Sequence, residues 1–271
     1  GKSKRIGEIT ITTIAAMSRK NRTTNHFPVD MFGLVIIDEC HHTPATSLYE
    51  LMTSINPTYR LGLSATPFRE DGETLKMIAA LGEPFEVTTA RKLITQKVLS
   101  KPVIEILKAP TNTYNAESYA AMYDSQIVTN TQRNRIIANK AISRAALGES
   151  VLIAVNRIKH GETLATLTNS TFIHGGTDED ERNRVLDEFR NKKMLILVST
   201  LLGEGVDIPS LDTIIIAGGG KSKVGHTQVI GRALRRATGK NGARIIDVID
   251  ETKWLRNHAE KRLMNYKELF G

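Results

Sequence analysis

Short apolar runs alternate with helical patterns through the second half of the chain. An amphipathic pattern from Thr131 to Gly148 predicts a helix. Five runs have the length and branching of buried strands, and they are Val151 to Val155, Thr171 to His174, Met194 to Val198, Thr213 to Ala217 and Arg244 to Ile249. Strands that alternate with helices build a parallel sheet with helices on both faces. The pattern therefore predicts an α/β fold.

The first half of the chain contains fewer strand patterns. Ile9 and Ile11 alternate with polar residues in the segment from Glu8 to Ile14, which predicts a strand. Two further strands are predicted, one at Leu34 to Ile37 and one at Tyr59 to Leu63. Because the first of these is uninterrupted by polar residues, we expect it to be a buried strand.

A segment interrupted by prolines separates the two halves. Residues 82–110 contain prolines at positions 84, 102 and 110, with a short strand pattern at Val103 to Leu107. We therefore predict a domain boundary there, with residues 1–108 in a first lobe and residues 109–271 in a second. The length of 271 residues agrees with two domains, because ~100 to 200 residues per domain is usual.

The composition favours a polyanionic partner and argues against a membrane protein. Lysine and arginine number 37 against 29 aspartates and glutamates, which gives a formal charge of +8. A basic surface attracts nucleic acid, although many mildly basic proteins bind none. The one cysteine cannot form an intramolecular disulfide and fits a reducing compartment. No apolar stretch approaches the ~20 residues of a membrane span, so we predict a soluble intracellular protein without a membrane partner.

Two adjacent carboxylates, Asp38 and Glu39, follow the strand at Leu34 to Ile37. In an open α/β sheet, ligands bind outside the carboxyl ends of the strands. An aspartate there can hold the Mg²⁺ that accompanies ATP, and an adjacent glutamate can polarise an attacking water. The same residues also fit a buried strand that is followed by a solvated acidic turn. They therefore predict nucleotide hydrolysis only in combination with other motifs.

Two further segments contain residues that could form one site with these carboxylates. The second predicted strand ends in three small residues, Ser64, Ala65 and Thr66. A helix is predicted around residues 228–235, and residues three and four apart share a helix face, so Gln228, Arg232 and Arg235 point the same way. Two guanidinium groups on one face can stabilise the charge on a transferring phosphate, as an arginine finger does.

Together these motifs resemble those of the superfamily 2 helicases and translocases. Asp38 to His41 is similar to their second motif, Ser64 to Thr66 to their third and Gln228 to Arg235 to their sixth, in matching order and spacing. The resemblance implies two RecA-like lobes with parallel sheets, which contribute the carboxylates and the arginines to one ATP site. It also implies ATP and Mg²⁺ as cofactors, with the Mg²⁺ held by Asp38, and it implies that His41 links the ATP site to the other motifs.

The resemblance extends into the second lobe. Val198 to Pro209 is similar to the fifth motif, in which Thr200 would touch the nucleic-acid backbone while Gly205 and Asp207 reach the nucleotide. Glycine lets a loop approach a ligand closely, and an aspartate accepts a ribose hydroxyl. Further nucleic-acid contacts are implied at Thr13, Arg157, His174 and Gly175. A basic helix start or a His-Gly turn is, by itself, as often only a solvated cap or turn.

A finer likeness points to DNA. Residues 62–71, residues 129–134 and the ending from Gly231 to Leu269 are similar to phage UvsW-type DNA helicases and their XPB-like cellular relatives. That resemblance implies remodelling of duplex or branched DNA in replication, recombination or repair, in the cytoplasm, or in that of the host if the protein is viral. The spelling Asp-Glu-Cys-His also occurs in RNA-sensing helicases, which leaves translocation on double-stranded RNA open. A non-catalytic nucleic-acid-binding fragment is the other alternative.

One motif of this family is missing from the chain. The Walker A segment, whose loop and lysine cradle the phosphates of ATP, does not occur in the sequence. We therefore expect the chain to be the C-terminal part of a longer motor, with its first lobe N-terminally incomplete. On this interpretation the chain alone is inactive, and the missing N-terminal helicase segment is its expected partner.

Overall fold

The structure, a computed structural model, describes residues 7–13, 32–40, 45–55, 57–64, 74–111, 117–201, 208, 211–219, 230–231, 233–237, 240 and 242–270. The strands in these ranges form two sheets, one in each of two units, Gly1–Val87 and Thr88–Gly271. None of the helices in the same ranges has both the length and the hydropathy needed to cross a membrane.

The sheet of the first unit pairs two short parallel strands, β1 (Leu34–Ile37) and β2 (Tyr59–Gly62). Two helices accompany it, α1 (Ala45–Ile55) and α2 (Thr74–Leu81). Ile37 packs into one apolar core with side chains of both helices, among them Leu48, Met52, Met77 and Ala80. Both strands that the sequence predicts here are confirmed to within one residue at their ends.

Strand β1 differs from the prediction in its burial. An uninterrupted apolar run is typical of a strand that is buried on both faces, yet Leu34 and Ile36 are 52% and 54% exposed. Successive side chains of a strand point to opposite faces, and in the described part of the unit the core includes Val35 and Ile37. The prediction of a buried strand therefore holds for one face only.

Residues 7–13 form no strand in the structure, although the alternation of Ile9 and Ile11 predicts one. Thr10 closes a local turn instead, because its Oγ1 accepts from Gly7 N at 3.2 Å and donates to Gly7 O at 3.1 Å. A strand needs a partner for its backbone groups, and no strand within the described ranges pairs with this segment. The predicted strand from Glu8 to Ile14 is therefore wrong for residues 8–13, and Ile14 lies outside the described residues.

The second unit contains a six-stranded sheet in which all neighbouring strands are parallel. In chain order the strands are β3 (Pro102–Lys108), β4 (Val151–Ala154), β5 (Thr171–Ile173), β6 (Ile196–Ser199), β7 (Thr213–Ile216) and β8 (Ala243–Ile249). Across the sheet their order is β3, β8, β7, β4, β6, β5. The strands predicted between residues 151 and 249 and the parallel α/β class are confirmed.

Helices pack on both faces of this sheet. They are α3 (Ala90–Thr95), α4 (Tyr119–Tyr123), α5 (Thr131–Ala145), α6 (Ile158–Thr168), α7 (Glu179–Arg190) and α8 (Lys253–Phe270), and a π-helical turn, Asp124–Val128, continues α4. One core includes Phe189 of α7 and Tyr266 of α8, and the other includes Ile137 of α5 and Leu164 of α6. Side chains of β4 and β7 enter both cores, so these central strands are buried on both faces.

The strand at residues 102–108 belongs to the second sheet. The sequence prediction assigned it to the first lobe, before a boundary at residue 108, but β3 pairs with β8 along its whole length. Pro102 begins the strand and Pro110 follows its end, and proline is tolerated at the first residue of an edge strand. These prolines therefore mark the ends of a strand, and the chain divides into its two units earlier, between Val87 and Thr88.

Candidate nucleotide and nucleic-acid sites at the carboxyl ends of the strands

Asp38 and Glu39 lie at the carboxyl end of β1, where the chain turns away from the strand. Asp38 is exposed, and its Oδ1 accepts a hydrogen bond from Glu39 N at 2.9 Å. Glu39 is half-buried and has a φ of 46°. That left-handed conformation costs a residue other than glycine about 1–2 kcal/mol. Backbone strain of this kind occurs at functional sites, and among the described residues Lys97, Asn169 and Lys192 share it.

Two backbone hydrogen bonds fasten this turn to the neighbouring strand. Leu63 N donates to Ile37 O at 2.8 Å, and Cys40 N donates to Leu63 O at 3.0 Å. Because β1 and β2 are parallel, Ser64 follows β2 at the same edge of the sheet at which the carboxylates follow β1. The structure thus brings the two carboxylates and this serine to one edge of the first sheet.

Gly62 allows the close packing behind the turn. A β-carbon built on Gly62 would lie 2.6 Å from Leu81 Cδ1 and 3.1 Å from Cys40 Sγ. Cys40 is buried and directly follows the carboxylates in the chain. A larger residue at position 62 would therefore crowd the side chains of Leu81 and Cys40.

In the second sheet, four predicted nucleic-acid contacts follow three adjacent strands. Arg157 comes after β4, Thr200 after β6, and His174 and Gly175 after β5. Strands β4, β6 and β5 are neighbours in this order, and Thr200 N donates to Ile173 O at 3.2 Å. Carboxyl ends of parallel strands share one edge of a sheet, so these residues lie along one edge. Two of them, Arg157 and Gly175, are exposed, and the other two are half-buried.

Local hydrogen bonds shape the turn at His174. His174 N donates to Thr177 Oγ1 at 3.0 Å, and His174 Nδ1 accepts from Gly176 N at 3.1 Å. The imidazole lies beside Phe172, with 5.3 Å between the ring centroids. A neutral imidazole whose Nδ1 accepts a hydrogen bond bears its proton on Nε2. Nε2 is therefore the ring atom that can donate to a phosphate oxygen.

Arg235 follows a helical turn in the second unit. Ile230, Gly231 and Ala233 have helical backbone, and Leu234 N donates to Ile230 O at 3.0 Å. The predicted helix around residues 228–235 is thus confirmed at Ile230, Gly231 and Ala233 but wrong at its end, because Leu234 lies in a turn and Arg235 pairs with Leu99 in a β-bridge. The Arg235 side chain is exposed.

Contacts on two sides fasten this helical turn. Lys240 Nζ donates to the carbonyl oxygens of Ala233 and Arg235. Burial lowers the pKa of Lys240 to about 8, against a smaller opposing effect of the Asp212 charge. From the segment that precedes β3, Ser100 N donates to Leu234 O at 2.8 Å, and Leu99 forms an antiparallel bridge with Arg235. The backbone of Arg235 is therefore held in place while its side chain stays accessible.

Seven predicted site residues lie outside the described residues, namely His41, Ala65, Thr66, Gly205, Asp207, Gln228 and Arg232. The roles assigned to them rest on the sequence. Thr13, the predicted contact in the first unit, is described and is exposed.

A buried charged network behind the edge of the second sheet was not predicted. Arg133 is fully buried and donates to Asp250 through Nε at 2.7 Å and through Nη2 at 3.1 Å. Its Nη2 also donates to Ala217 O at 2.9 Å. These bonds join the start of α5 to the residues that follow β7 and β8. Arginine is almost never fully buried unless it is paired. In the sequence, the run from Thr129 to Asn134 carries a family likeness but does not indicate that Arg133 is buried.

The network continues to a buried histidine. Asn134 Nδ2 donates to Val128 O at 2.9 Å, and its Oδ1 lies 3.0 Å from His160 Nε2. Burial lowers the pKa of His160 from 6.5 to about 3, and the positive charge of Arg133 contributes in the same direction. His160 is therefore neutral at pH 7, with its proton on Nε2, where Asn134 accepts it.

Two protein-family models match parts of the chain. The model for the helicase conserved C-terminal domain matches residues 132–237, which include Arg157, Thr200 and Arg235 of the second unit. The model for the type III restriction enzyme res subunit matches residues 1–69, which include Asp38, Glu39 and Ser64.

Similar proteins bear helicase names. The provisional helicase 22 of Sulfolobus islandicus filamentous virus is 31% identical over 80% of this chain and 42% of its own length. The ATP-dependent DNA helicase uvsW of Enterobacteria phage T4 is 26% identical over 81% of this chain and 46% of its own length. The DNA 3'-5' helicase XPB of Kineococcus radiotolerans is 26% identical over 97% of this chain and 48% of its own length. The chain thus spans less than half the length of these relatives.

The solved structure of T4 UvsW has a matching fold. Its TM-score is 0.52 at 24% identity, and the match covers 89% of this chain and 52% of the UvsW chain. At this identity the likeness establishes the fold, and the parallel sheets described above are those of RecA-like helicase domains.

Proposed function

Because the chain belongs to the superfamily 2 helicases and translocases, we propose that it forms part of an ATP-dependent DNA motor. The motor remodels duplex or branched DNA in replication, recombination or repair. Relatives that are named DNA helicases favour DNA over RNA as the substrate. The basic balance of the chain, with a formal charge of +8, favours a polyanionic substrate as well.

One observation supports this proposal most directly. Asp38 and Glu39 follow a parallel strand at the edge where the neighbouring strand leads into Ser64. Hydrolysis of ATP needs a carboxylate that holds Mg²⁺ and a group that orients the attacking water. We assign the Mg²⁺ to Asp38 and the water to Glu39, and we assign coupling between hydrolysis and nucleic acid to Ser64, Ala65 and Thr66.

The arginines of the second unit stabilise the transferred phosphate in this proposal. The fastened backbone and the exposed side chain of Arg235 suit a group that must meet a ligand in a fixed geometry. Arg232 acts with it in this proposal, as the likeness to the sixth helicase motif implies. The nucleotide is further contacted by Gly205 and Asp207, while His41 and Gln228 connect the nucleotide to the other motifs.

Nucleic acid binds along the carboxyl edge of the second sheet. A guanidinium, an imidazole donor, a glycine N–H and a hydroxyl are groups that pair with phosphate oxygens. Arg157, His174, Gly175 and Thr200 supply them at that edge, and Thr13 adds a contact from the first unit. Contacts to phosphates position a strand without reading its sequence.

Hydrolysis by this motor also requires a phosphate-binding loop. The 271 residues contain no Gly-x-x-x-x-Gly-Lys-Ser/Thr run, the loop whose N–H groups cradle the phosphates of ATP. Transition-state stabilisation needs the cradle, the carboxylates and the arginines around the same phosphate. We therefore propose that the 271 residues alone do not turn over ATP, and that joining them to a segment with such a loop confers DNA-stimulated ATPase activity.

The test is DNA-stimulated ATP hydrolysis by the joined chain, with Glu39→Gln as the diagnostic variant. Glutamine keeps the shape of the side chain but cannot act as a base, so we expect ATP binding to survive while turnover collapses. Glu50→Gln is the matched control, because Glu50 is exposed on α1 of the same unit. Turnover by the Glu39→Gln chain at the parental rate would contradict the assignment.

A further inference from the structure

An aromatic cluster lies between α4 and α8 in the second unit. It consists of Tyr119 and Tyr123 from α4 and Trp254 and His258 from α8. Tyr119 is its centre, with ring-centroid distances of 5.9 Å to Tyr123, 6.5 Å to Trp254 and 5.6 Å to His258. The rings of Trp254 and His258 meet Tyr119 edge to face, the geometry that aromatic quadrupoles favour.

The aromatic cluster sits at the carboxyl edge of the second sheet. Tyr123 OH donates to Gly218 O at 2.5 Å, and Asn156 Nδ2 donates to the same oxygen at 3.2 Å. Gly218 follows β7, and Asn156 follows β4 and precedes Arg157. Trp254 lies in the first turn of α8, shortly after the end of β8. The cluster therefore shares its edge of the sheet with the proposed nucleic-acid contacts.

Arg157 joins the aromatic cluster to those contacts. Its guanidinium lies over the ring of Tyr123, with 5.7 Å between Cζ and the ring centroid. Arg157 is exposed, and Tyr119 is 39% exposed, while Trp254 and His258 are half-buried. Tyr123 is buried beneath them and fixes the arrangement. Planar groups of two chemical kinds, aromatic and guanidinium, thus reach solvent side by side.

We propose that the aromatic cluster, with Arg157, is a stacking surface for an unpaired nucleobase. Bases stack on aromatic rings and on guanidinium planes without regard to sequence, and a positive charge beside the ring holds the adjoining phosphate. This inference rests on the proposed function, because it adds a base contact to a strand that the edge holds by its phosphates. It assigns to the second unit a preference for single-stranded over fully paired nucleic acid.

Trp254 makes the inference measurable, since it is the one tryptophan of the chain. The probes are an oligothymidylate of about 15 nucleotides and an oligomer of equal length in which abasic residues replace the central bases, so that both have the same phosphates. With the 271-residue chain at low salt, we expect the oligothymidylate to quench Trp254 emission and to bind on the order of tenfold more tightly than the abasic oligomer.

Variants of Tyr119 separate stacking from packing. Tyr119→Leu should bring the affinity for oligothymidylate down to that for the abasic oligomer, while Tyr119→Phe, which keeps the ring, should preserve the difference. Tyr49→Leu is the matched control, because Tyr49 is an exposed tyrosine on α1 of the first unit. If Tyr119→Leu does not fold, the comparison of the two oligomers on the parent chain decides the question without it.

Each outcome bears on one of the two proposals. Equal affinity for both oligomers together with unchanged Trp254 emission would overturn the stacking surface, and salt-sensitive binding in the same titration would leave the nucleic-acid proposal standing. Quenching by both oligomers to the same extent would also overturn it, because the bases would then contribute nothing. Binding of neither oligomer at low salt would overturn the stacking surface as well, and binding of a duplex of equal length in the same buffer would leave the proposed function standing.

Discussion

His160 shows what a single buried side chain contributes to the pH dependence of the second unit. Its pKa in the folded chain is about 3, below the ordinary 6.5. Between these values the unfolded chain binds more protons than the folded chain. The free energy of unfolding therefore falls as the pH drops through this window, by at most about 1.4 kcal/mol per pH unit. Above pH 6.5 the contribution is complete.

Replacing His160 with glutamine tests this reasoning. Glutamine can donate to Asn134 Oδ1 but does not titrate, so His160→Gln should lose less stability than the parent chain between pH 7 and about pH 5. Urea unfolding followed by circular dichroism at the two pH values gives the comparison. The same loss of stability in both chains would show that the imidazole takes up a proton without unfolding.

At the scale of single residues, the sequence predicts functional groups that are adjacent along the chain. Asp38 and Glu39 are adjacent, and they follow a strand whose apolar pattern is plain. Arg133 was missed because its partner Asp250 is 117 residues away and its burial depends on the packing of α5 against the sheet. No local pattern reports a contact of that kind.

At the scale of elements, the pair of Arg133 and Asp250 braces the start of α5 against the loop that follows β8. Both side chains are buried, at 0% and 6% exposure. A buried pair need not stabilise a fold relative to apolar residues, but removing one partner leaves the other charge buried and unpaired. The second unit should therefore tolerate loss of the pair better than loss of one partner.

Asp250→Asn should accordingly lower the free energy of unfolding by about 3–5 kcal/mol. The matched control is Asp187→Asn, which removes the partner of Arg190 at the surface and should cost no more than about 1 kcal/mol. Urea unfolding at pH 7 measures both variants. Adding Arg133→Met to Asp250→Asn should recover part of the loss, and a double variant that is less stable than the single one would contradict the argument.

Prediction from the sequence was most accurate for the positions of strands and least accurate for which strands pair with one another. Apolar runs between breakers located β4 to β8 within two residues, because a buried parallel strand must be apolar on both faces. The prediction of a strand at residues 8–13 was wrong, since alternation of apolar and polar residues alone does not supply a hydrogen-bonding partner for the backbone. The assignment of β3 to the first lobe was wrong too, because its partner β8 lies at the far end of the second unit. Prolines occur at the ends of strands as well as between domains.

At the scale of the whole molecule, the number of phosphates that basic side chains neutralise sets how binding responds to salt. A chain that neutralises about three phosphates releases their counterions, so its affinity for duplex DNA should fall by about 10- to 100-fold between 50 and 200 mM salt. We expect this loss to be nearly the same for unrelated DNA sequences, because the proposed contacts are mainly to phosphates. Fluorescence anisotropy with labelled duplexes measures it directly.

Two results of that titration would count against the proposal. Affinity that does not change with salt would mean that phosphates are not the main contacts. Tighter binding to RNA than to DNA of the same sequence would favour translocation on double-stranded RNA instead. Arg157→Ala should reduce the slope of affinity against salt by about one contact, whereas Arg184→Ala, at an exposed arginine of α7, should leave it unchanged.

The pairing of β3 with β8 also governs how this protein is made. Residue 102 leaves the ribosome long before residue 243, and at ~5–20 residues per second the interval is roughly 7 to 30 seconds. Throughout that time β3 has no neighbour, and β7 waits for the same missing strand. A ribosome that stalls between residues 217 and 243 therefore releases a product in which β3 and β7 both present edges that β8 would cover, the kind of surface on which chains aggregate and which chaperones must cover.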